Sequence, residues 1–336
     1  MWRKIQKFLA VFLPLILLLI YIGVVICMLN RWDPVTPITL VPIWGWAVMG
    51  MFASLLCWIF FRGFLSVFVF CVWLITGIGF SEETHGLARE LAVFLQNNSD
   101  SEESRDPPTP GRLRVVNVEA NASEEGLRKV LELEPDIVIV QNAPDESVLQ
   151  SFADELFGTN RSVAVNQSNA ILARGEFRET LAEPESTTLH VRLRTRAGVT
   201  IDITNLDLER CAPRLDMWHP DVWEELIEAR RKNRRLIRNY LGVHELTGEK
   251  SGRIVSGGFG TPPGDDAFRP LANTDMLDAF GEAGIGWGNT FPSEYPVLRL
   301  DQVWVSENLA PLKATARVNP ASEHRIVVCD LEVAKN

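Results

Sequence analysis

Residues 254–263 read IVSGGFGTPP: a short apolar run, glycines around a single phenylalanine, then two prolines. Glycine at that density marks a place where something approaches the backbone closely or where φ is positive. Two chemistries fit such a loop. It is either a cradle of backbone N–H groups for a phosphate, or a loop that keeps its shape while its reactive side chains are absent. Downstream, Asp301 precedes an apolar run in RLDQVWVS, and Glu323 and His324 precede another in SEHR. Taken singly, Asp301 reads equally well as a turn residue, and His324 as a strand-end histidine satisfied by a neighbouring carboxylate. Of the five cysteines, Cys27, Cys57 and Cys71 lie in apolar runs and behave as small hydrophobes. Cys211 and Cys329 remain, with no CxxC and no metal-ligand spacing, and either pair in an oxidising compartment or stay as buried thiols.

These residues sit behind an apolar N-terminal third. Residues 8–28, 38–61 and 64–80 are long apolar runs, which predicts three membrane-spanning helices and an anchor over residues 1–80. No small-residue cleavage site follows the first run and two more runs come after it, so it is not a removable leader. Arg3, Lys4 and Lys7 favour a cytoplasmic amino terminus, and Arg62 lies in the turn between the second and third runs. Three crossings then put everything after Phe80 on the outer face of a multi-pass membrane protein. Trp32, Trp44 and Trp46 suit an interfacial belt at the outer turn. No Asp, Glu or His lies within a run, which leaves a transport pathway nothing to work with.

After Phe80 the chain carries 28 basic and 42 acidic residues, a net of −14. Such a surface repels phosphate backbones, so nucleic acid is disfavoured as a partner. Residues 82–96 have the spacing of an amphipathic helix, with Leu87, Leu91 and Phe94 on one face. The stretch NNSDSEESRDPPTPG over 97–111 reads as a disordered tether, so 81–111 forms a connecting segment.

The folded domain is expected over 112–336. Strands are predicted in RLRVVNV, in PDIVIVQN, and at 162–165, 170–173, 187–195, 199–206, 253–256, 300–305, 313–317 and 325–331. A helix over 123–133 takes Ser123 as N-cap. A long helix over 222–241 has its acids Glu224, Glu225 and Glu228 ahead of its bases, as the helix dipole favours. It resembles a basic membrane-facing or nucleic-acid patch, but the expectation is a solvated face with Trp223, Leu226, Leu236 and Leu241 inward. Strands outnumber helices and several are adjacent, which predicts stacked sheets with helices outside rather than a simple βαβ series.

In order and spacing, LRVVNV, PDIVIVQN, ITNLDL, IVSGGFGTPPGD, RLDQVWVS and SEHRIVVCDLEV resemble the endonuclease/exonuclease/phosphatase superfamily over roughly residues 112–333. The resemblance implies an α/β fold: a four-layer α/β/β/α sandwich of the DNase I-like type, here preceded by three transmembrane helices, with divalent-metal phosphoester hydrolysis as the family activity. A three-span anchor with an external domain is similar to membrane phosphatases of the teicoplanin-resistance type.

The resemblance also assigns site positions. Asp301 and His324 match the family's pair, in which the carboxylate orients the imidazole, and Glu323 takes the place of an aspartate that can ligate metal. The family's metal-binding glutamate falls on Asn142, a neutral ligand that cannot neutralise a hard dication. SGGFGTPPGD aligns with GGDFNAPPGD, so the reactive aspartate and asparagine fall on Gly258 and Gly260. Asn205 or Asp207 takes the place of the histidine in the family's THL, and Asn117, Glu119 or Asn121 that of the asparagine ending the first strand. Trp287 and Asn289 match a loop before the Asp301 strand. The expectation is a catalytically degraded member that binds a phosphorylated lipid or envelope component. Two alternatives stand beside it. One is an active phosphoesterase using magnesium or manganese through Glu323, Asp301, Glu119 and Asp265 or Asp266; the other is an envelope scaffold.

Overall fold

The computed structural model describes residues 2–97, 111–182, 188–195, 198–243 and 251–334. Most of the tether expected over 97–111 lies outside the described residues. The chain forms two compact units, one of Met1–His85 with Cys211–Arg231 and one of Gly86–Arg210 with Lys232–Asn336.

In the first unit the apolar runs fold as α1 (Trp2–Asn30), a short α2 (Thr36–Leu40), α3 (Ile43–Phe61) and α4 (Phe64–Phe80). Val24, Ala47, Val69 and Trp73 make their common core. Gly50 allows that packing, because a Cβ there would stand 2.2 Å from the Trp73 ring. The Tyr21 and Thr76 hydroxyls share a hydrogen bond at 3.0 Å, which satisfies two polar groups among apolar neighbours. Arg62 ends α3 in the left-handed region, with its N–H donated to the Trp58 carbonyl at 2.8 Å. Arg3–Asn30 and Ile43–Phe61 are each long and apolar enough to cross a membrane; Phe64–Phe80 counts as a third only as part of a bent pair with the helix after it. The segment Cys211–Arg231 packs in the same unit, where Cys211, Val222, Leu226 and Ala229 cluster on Leu40.

The basic face is solvated at Arg231, Lys232, Arg235 and Arg238, but Arg230 departs from it. Its side chain is fully buried, directed at the carbonyls of Arg31 and Trp32 and bonded to the Thr39 hydroxyl. Arg231 pairs with Asp33 at 2.8 Å. The helix, Pro220–Val243, turns Leu226 inward as expected, but Leu236 is 37% exposed, and Ile237 and Tyr240 take the inward positions instead.

The second unit begins within α5 (Glu82–Asn97). Its strands are β1 (Arg112–Glu119), β2 (Ile137–Gln141), β3 (Arg161–Asn166), β4 (Asn169–Arg174), β5 (Glu176–Ala182) and β6 (Thr188–Arg194). The chain continues through β7 (Thr200–Leu206), β8 (Ser251–Gly258), β9 (Met276–Asp278), β10 (Asp301–Ser306), β11 (Leu309–Arg317) and β12 (Ile326–Val333). They form two six-stranded sheets, ordered β11-β12-β1-β2-β4-β3 and β5-β6-β7-β8-β10-β9. β1 and β2 are parallel, as are β7 and β8, while β12 and β10 run antiparallel to them.

Side chains alternate across the sheets as strand geometry requires. Val115, Ile137, Ile139, Ile203, Ile254 and Val303 fill the space between the sheets. Val116, Val118, Val138 and Val140 face the other way, against Leu127 and Val130 of α6 (Glu125–Leu131) and Leu149 and Phe152 of α7 (Glu146–Phe157). On the second sheet Leu206, Val255 and Trp304 pack with Ile237 and Tyr240. Four layers result, as the motif order implied. Ser123 lies just ahead of α6, where its hydroxyl accepts the Gly126 N–H at 3.2 Å and does the work of a cap.

Candidate functional site

Register brings the motifs together. Because β1 is parallel to β2 and β12 antiparallel to β1, the ends carrying Glu119, Gln141 and His324 share one edge of the first sheet. In the second sheet Asp301 pairs with Gly258 across β10 and β8, beside the end of β7. Three buried amides bridge the two edges. The Gln141 amide donates to Asn117 Oδ1 at 3.0 Å and to Asn205 Oδ1 at 2.8 Å. Asn205 donates to the carbonyls of Val140 and Ala170 at 2.8 and 3.2 Å. Asn117 and Asn205 are thus committed to holding the sheets in register.

Above that layer stand the charged groups. His324 Nδ1 lies 2.7 Å from Asp301 Oδ2. Asp301 is buried, its N–H is donated to Thr290 Oγ1 at 3.2 Å, and its Oδ1 has no partner. Burial pushes the imidazole pKa down, but the bond to Asp301 and the charges of Asp301 and Glu119 outweigh it, against opposition from Arg210, and the net shift is upward. The Phe291 ring is 5.0 Å from the His324 ring, and the Arg210 guanidinium stands 4.3 Å over the same phenylalanine. His324 is therefore an imidazole held by a buried carboxylate that favours its protonated form, with the Arg210 cation close by.

Glu119 accepts from Asn142 Nδ2 at 2.8 Å, from the Asn121 N–H at 3.1 Å and from the Ser322 hydroxyl. Ser322 Oγ also accepts the His324 N–H at 3.1 Å. Asp207 lies beyond the end of β7, and burial first, then the charges of Glu119 and Asp301, raise its carboxyl above the usual range. Glu323 is exposed, and its carbonyl accepts the Ser293 N–H at 2.6 Å. Asn289 is buried with no partner for its Nδ2. Asp265 and Asp266 are engaged elsewhere: Asp265 caps a turn through the Ala267 N–H at 2.9 Å, and Asp266 pairs with Arg234 and Arg269.

Packing explains the glycine loop. Gly257 has φ +149°, and a Cβ there would stand 1.9 Å from the Leu206 carbonyl oxygen. Gly260 has φ +58°, and its Cβ would meet Arg210 Cα at 2.8 Å. Between them Phe259 is buried, its N–H donated to the Leu300 carbonyl at 2.9 Å. These glycines serve the close approach of residues 206–210. Gly258 differs: its nearest neighbour is Asp207 Oδ1 at 3.5 Å, so a side chain fits there.

Among the described residues no three His, Cys, Asp or Glu side chains converge as metal ligands. Asn142 is neutral, and the Glu119 oxygens are taken by Asn142, Asn121 and Ser322. This donor set does not fit the magnesium or manganese that the family resemblance implies. Gln141 and Ser322 stand inside PDIVIVQN and SEHR without being singled out there, and Arg210 and Phe291 lie only beside motifs. None of the five cysteines is in a disulfide; Cys211 Sγ donates to the Leu226 carbonyl at 3.4 Å, and Cys329 lies in the core between the sheets.

Solved structures share this fold. An endonuclease/exonuclease/phosphatase protein from Bacteroides vulgatus matches with a TM-score of 0.50 and 16% identity, over 66% of this chain and 99% of its own. This chain has the endonuclease/exonuclease/phosphatase fold. A second such protein, from Beutenbergia cavernae, matches with a TM-score of 0.50 and 15% identity, over 66% of this chain and 72% of its own. A mannosyl-6-phosphatase of Bacteroides thetaiotaomicron matches with a TM-score of 0.51 and 13% identity, over 65% of this chain and 99% of its own. No family model and no curated protein sequence matches the chain.

Proposed function

We propose that this is a multi-pass membrane protein whose outer domain keeps the phosphate-recognition half of an endonuclease/exonuclease/phosphatase site and has lost the metal half. The observation that carries it is the Asp301–His324 pair at 2.7 Å with Arg210 close by, in a site whose carboxylates do not assemble a metal centre. Asp301 takes Nδ1, so Nε2 is the nitrogen left for a ligand oxygen. The ligand is a phosphorylated lipid or envelope component, bound and scarcely cleaved.

Parity supports three crossings. Arg230 and Arg231 are bonded to the turn between α1 and α3, so within the anchor unit the Cys211–Arg231 segment lies on the same side of the bilayer as that turn. An even number of crossings must separate them. α3 and α4 supply two; α3 alone would put them on opposite faces.

The test is turnover by the purified full-length protein. Background rates in magnesium or manganese on generic phosphoesters and lipid pyrophosphates, with saturable binding of the phosphorylated compound, support the proposal. Metal-dependent turnover abolished by His324→Ala would establish the second reading, an active enzyme with a rewired site. One observation favours it: the Asp207 carboxylate lies 3.5 Å from where a Cβ at Gly258 would stand, beside the position of the family's aspartate.

A further inference from the structure

Residues 211–219, CAPRLDMWH, place two large apolar side chains in the open within the anchor unit. Leu215 is 92% exposed and Trp218 74%, while Met217 between them packs inward on the cluster around Leu40. The loop is held in this form. Trp223 Nε1 donates to the Met217 carbonyl, and Arg214 is paired with Asp216 at 2.7 Å and with Glu225 at 2.7 Å. Its charges are thus neutralised locally while its apolar tips remain uncovered.

The same unit contains the candidate spans, and the loop belongs to the segment that packs on the turn between α1 and α3. Trp32 at that turn is itself 55% exposed. Two tryptophans at one end of a bundle of apolar helices match the headgroup level of a bilayer, where an indole buries its ring and keeps its N–H wet. Leu215 and Trp218 on one loop make an uncovered apolar pair that lipid would cover.

We infer that the loop around Leu215 and Trp218 is a membrane-interface wedge, inserted at the headgroup–acyl boundary of the bilayer that the anchor crosses. This rests on the membrane reading of α1, α3 and α4.

The experiment is quenching by brominated lipids of a fluorescent amino acid in the full-length protein in proteoliposomes. The probe replaces Leu215, with Phe52 of α3 and Tyr295 of the second unit, 62% and 78% exposed, as references. Leu215 lies on the surface, so the substitution leaves packing intact. Expected is quenching at 215 approaching that at 52 and at least about twofold above that at 295. Quenching at 52 with none at 215, or equal quenching at 215 and 295, overturns the wedge and leaves the anchor standing. Absence of quenching at 52 overturns the anchor and the wedge with it.

Discussion

Installing the missing carboxylates should create a metal site at a calculable cost. Asn142→Glu with Gly258→Asp is the pair to make; Gly260→Asn is left out because its Cβ would stand 2.8 Å from Arg210 Cα. Asn142 has φ +43°, where asparagine is at home and glutamate pays about 1 kcal/mol. The new Glu would face Glu119, now bonded to Asn142 at 2.8 Å, and since position 142 is exposed the repulsion is only about 1–2 kcal/mol. Asp at 258 would face Asp207 in a more enclosed place, for roughly 2–3 kcal/mol. The metal-free double variant should therefore be about 5 kcal/mol less stable, lowering its apparent thermal midpoint by roughly 10–20 °C. Manganese at a hundred times its dissociation constant should restore about 2.7 kcal/mol of this, and the natural chain should not respond. Thermal unfolding of the full-length protein in detergent, with and without manganese, reads both. An equal manganese response in the natural chain, or a double variant as stable as the natural one without metal, would refute the reasoning.

Three more outcomes are expected. Ile139→Asp puts an unpaired carboxylate between the sheets and should cost several kcal/mol, abolishing the second unit's cooperative transition; a soluble, cooperative variant would mean the sheets do not enclose that position. His324 has its pKa raised in the folded state, so its stabilisation is complete below the ordinary histidine value of about 6.5 and is lost as pH rises through the raised value. Phosphorylated-ligand binding should weaken over the same rise, and Asp301→Asn should move that transition to lower pH. A C-terminal reporter active only outside the cytoplasm should be active in cells; activity only of a cytoplasmic reporter would reverse the orientation drawn from Arg3, Lys4, Lys7 and Arg62.

The central strands were legible because they are buried on both faces and rich in β-branched residues, as in IVIVQ of β2. The edge strands β3 and β11 were legible too, at 162–165 and 313–317, but β5, β9 and α7 were not. β5, EFRETLA, loses its alternation where Arg178 and Glu179 stand together at a register shift, β9 has three residues, and α7 carries Leu149, Phe152, Ala153 and Phe157 at helical spacing that the sequence analysis leaves unassigned. Asp301 and His324 were placed by motif order, and they meet. The first-strand position could not be chosen from sequence, since the choice depends on which side chain points between the sheets. Asn117 does and joins the amide layer, while Glu119 reaches the charged edge. Arg230 was misread because helical periodicity shows which face is polar but not that distant carbonyls will cover a guanidinium.

That buried arginine also bears on how the protein is made and handled. Its partners, Arg31, Trp32 and Thr39, leave the ribosome nearly two hundred residues before it. The α1–α3 turn must therefore wait, with its carbonyls solvated, until most of the chain has been synthesised. A soluble fragment cut after the tether would leave Val222, Leu226, Ala229 and Arg230 without Leu40 and the turn they cover. Such a fragment carries a raw apolar helix face and an orphaned cation, and should aggregate or open that helix. Biochemistry on this protein belongs with the membrane segment attached.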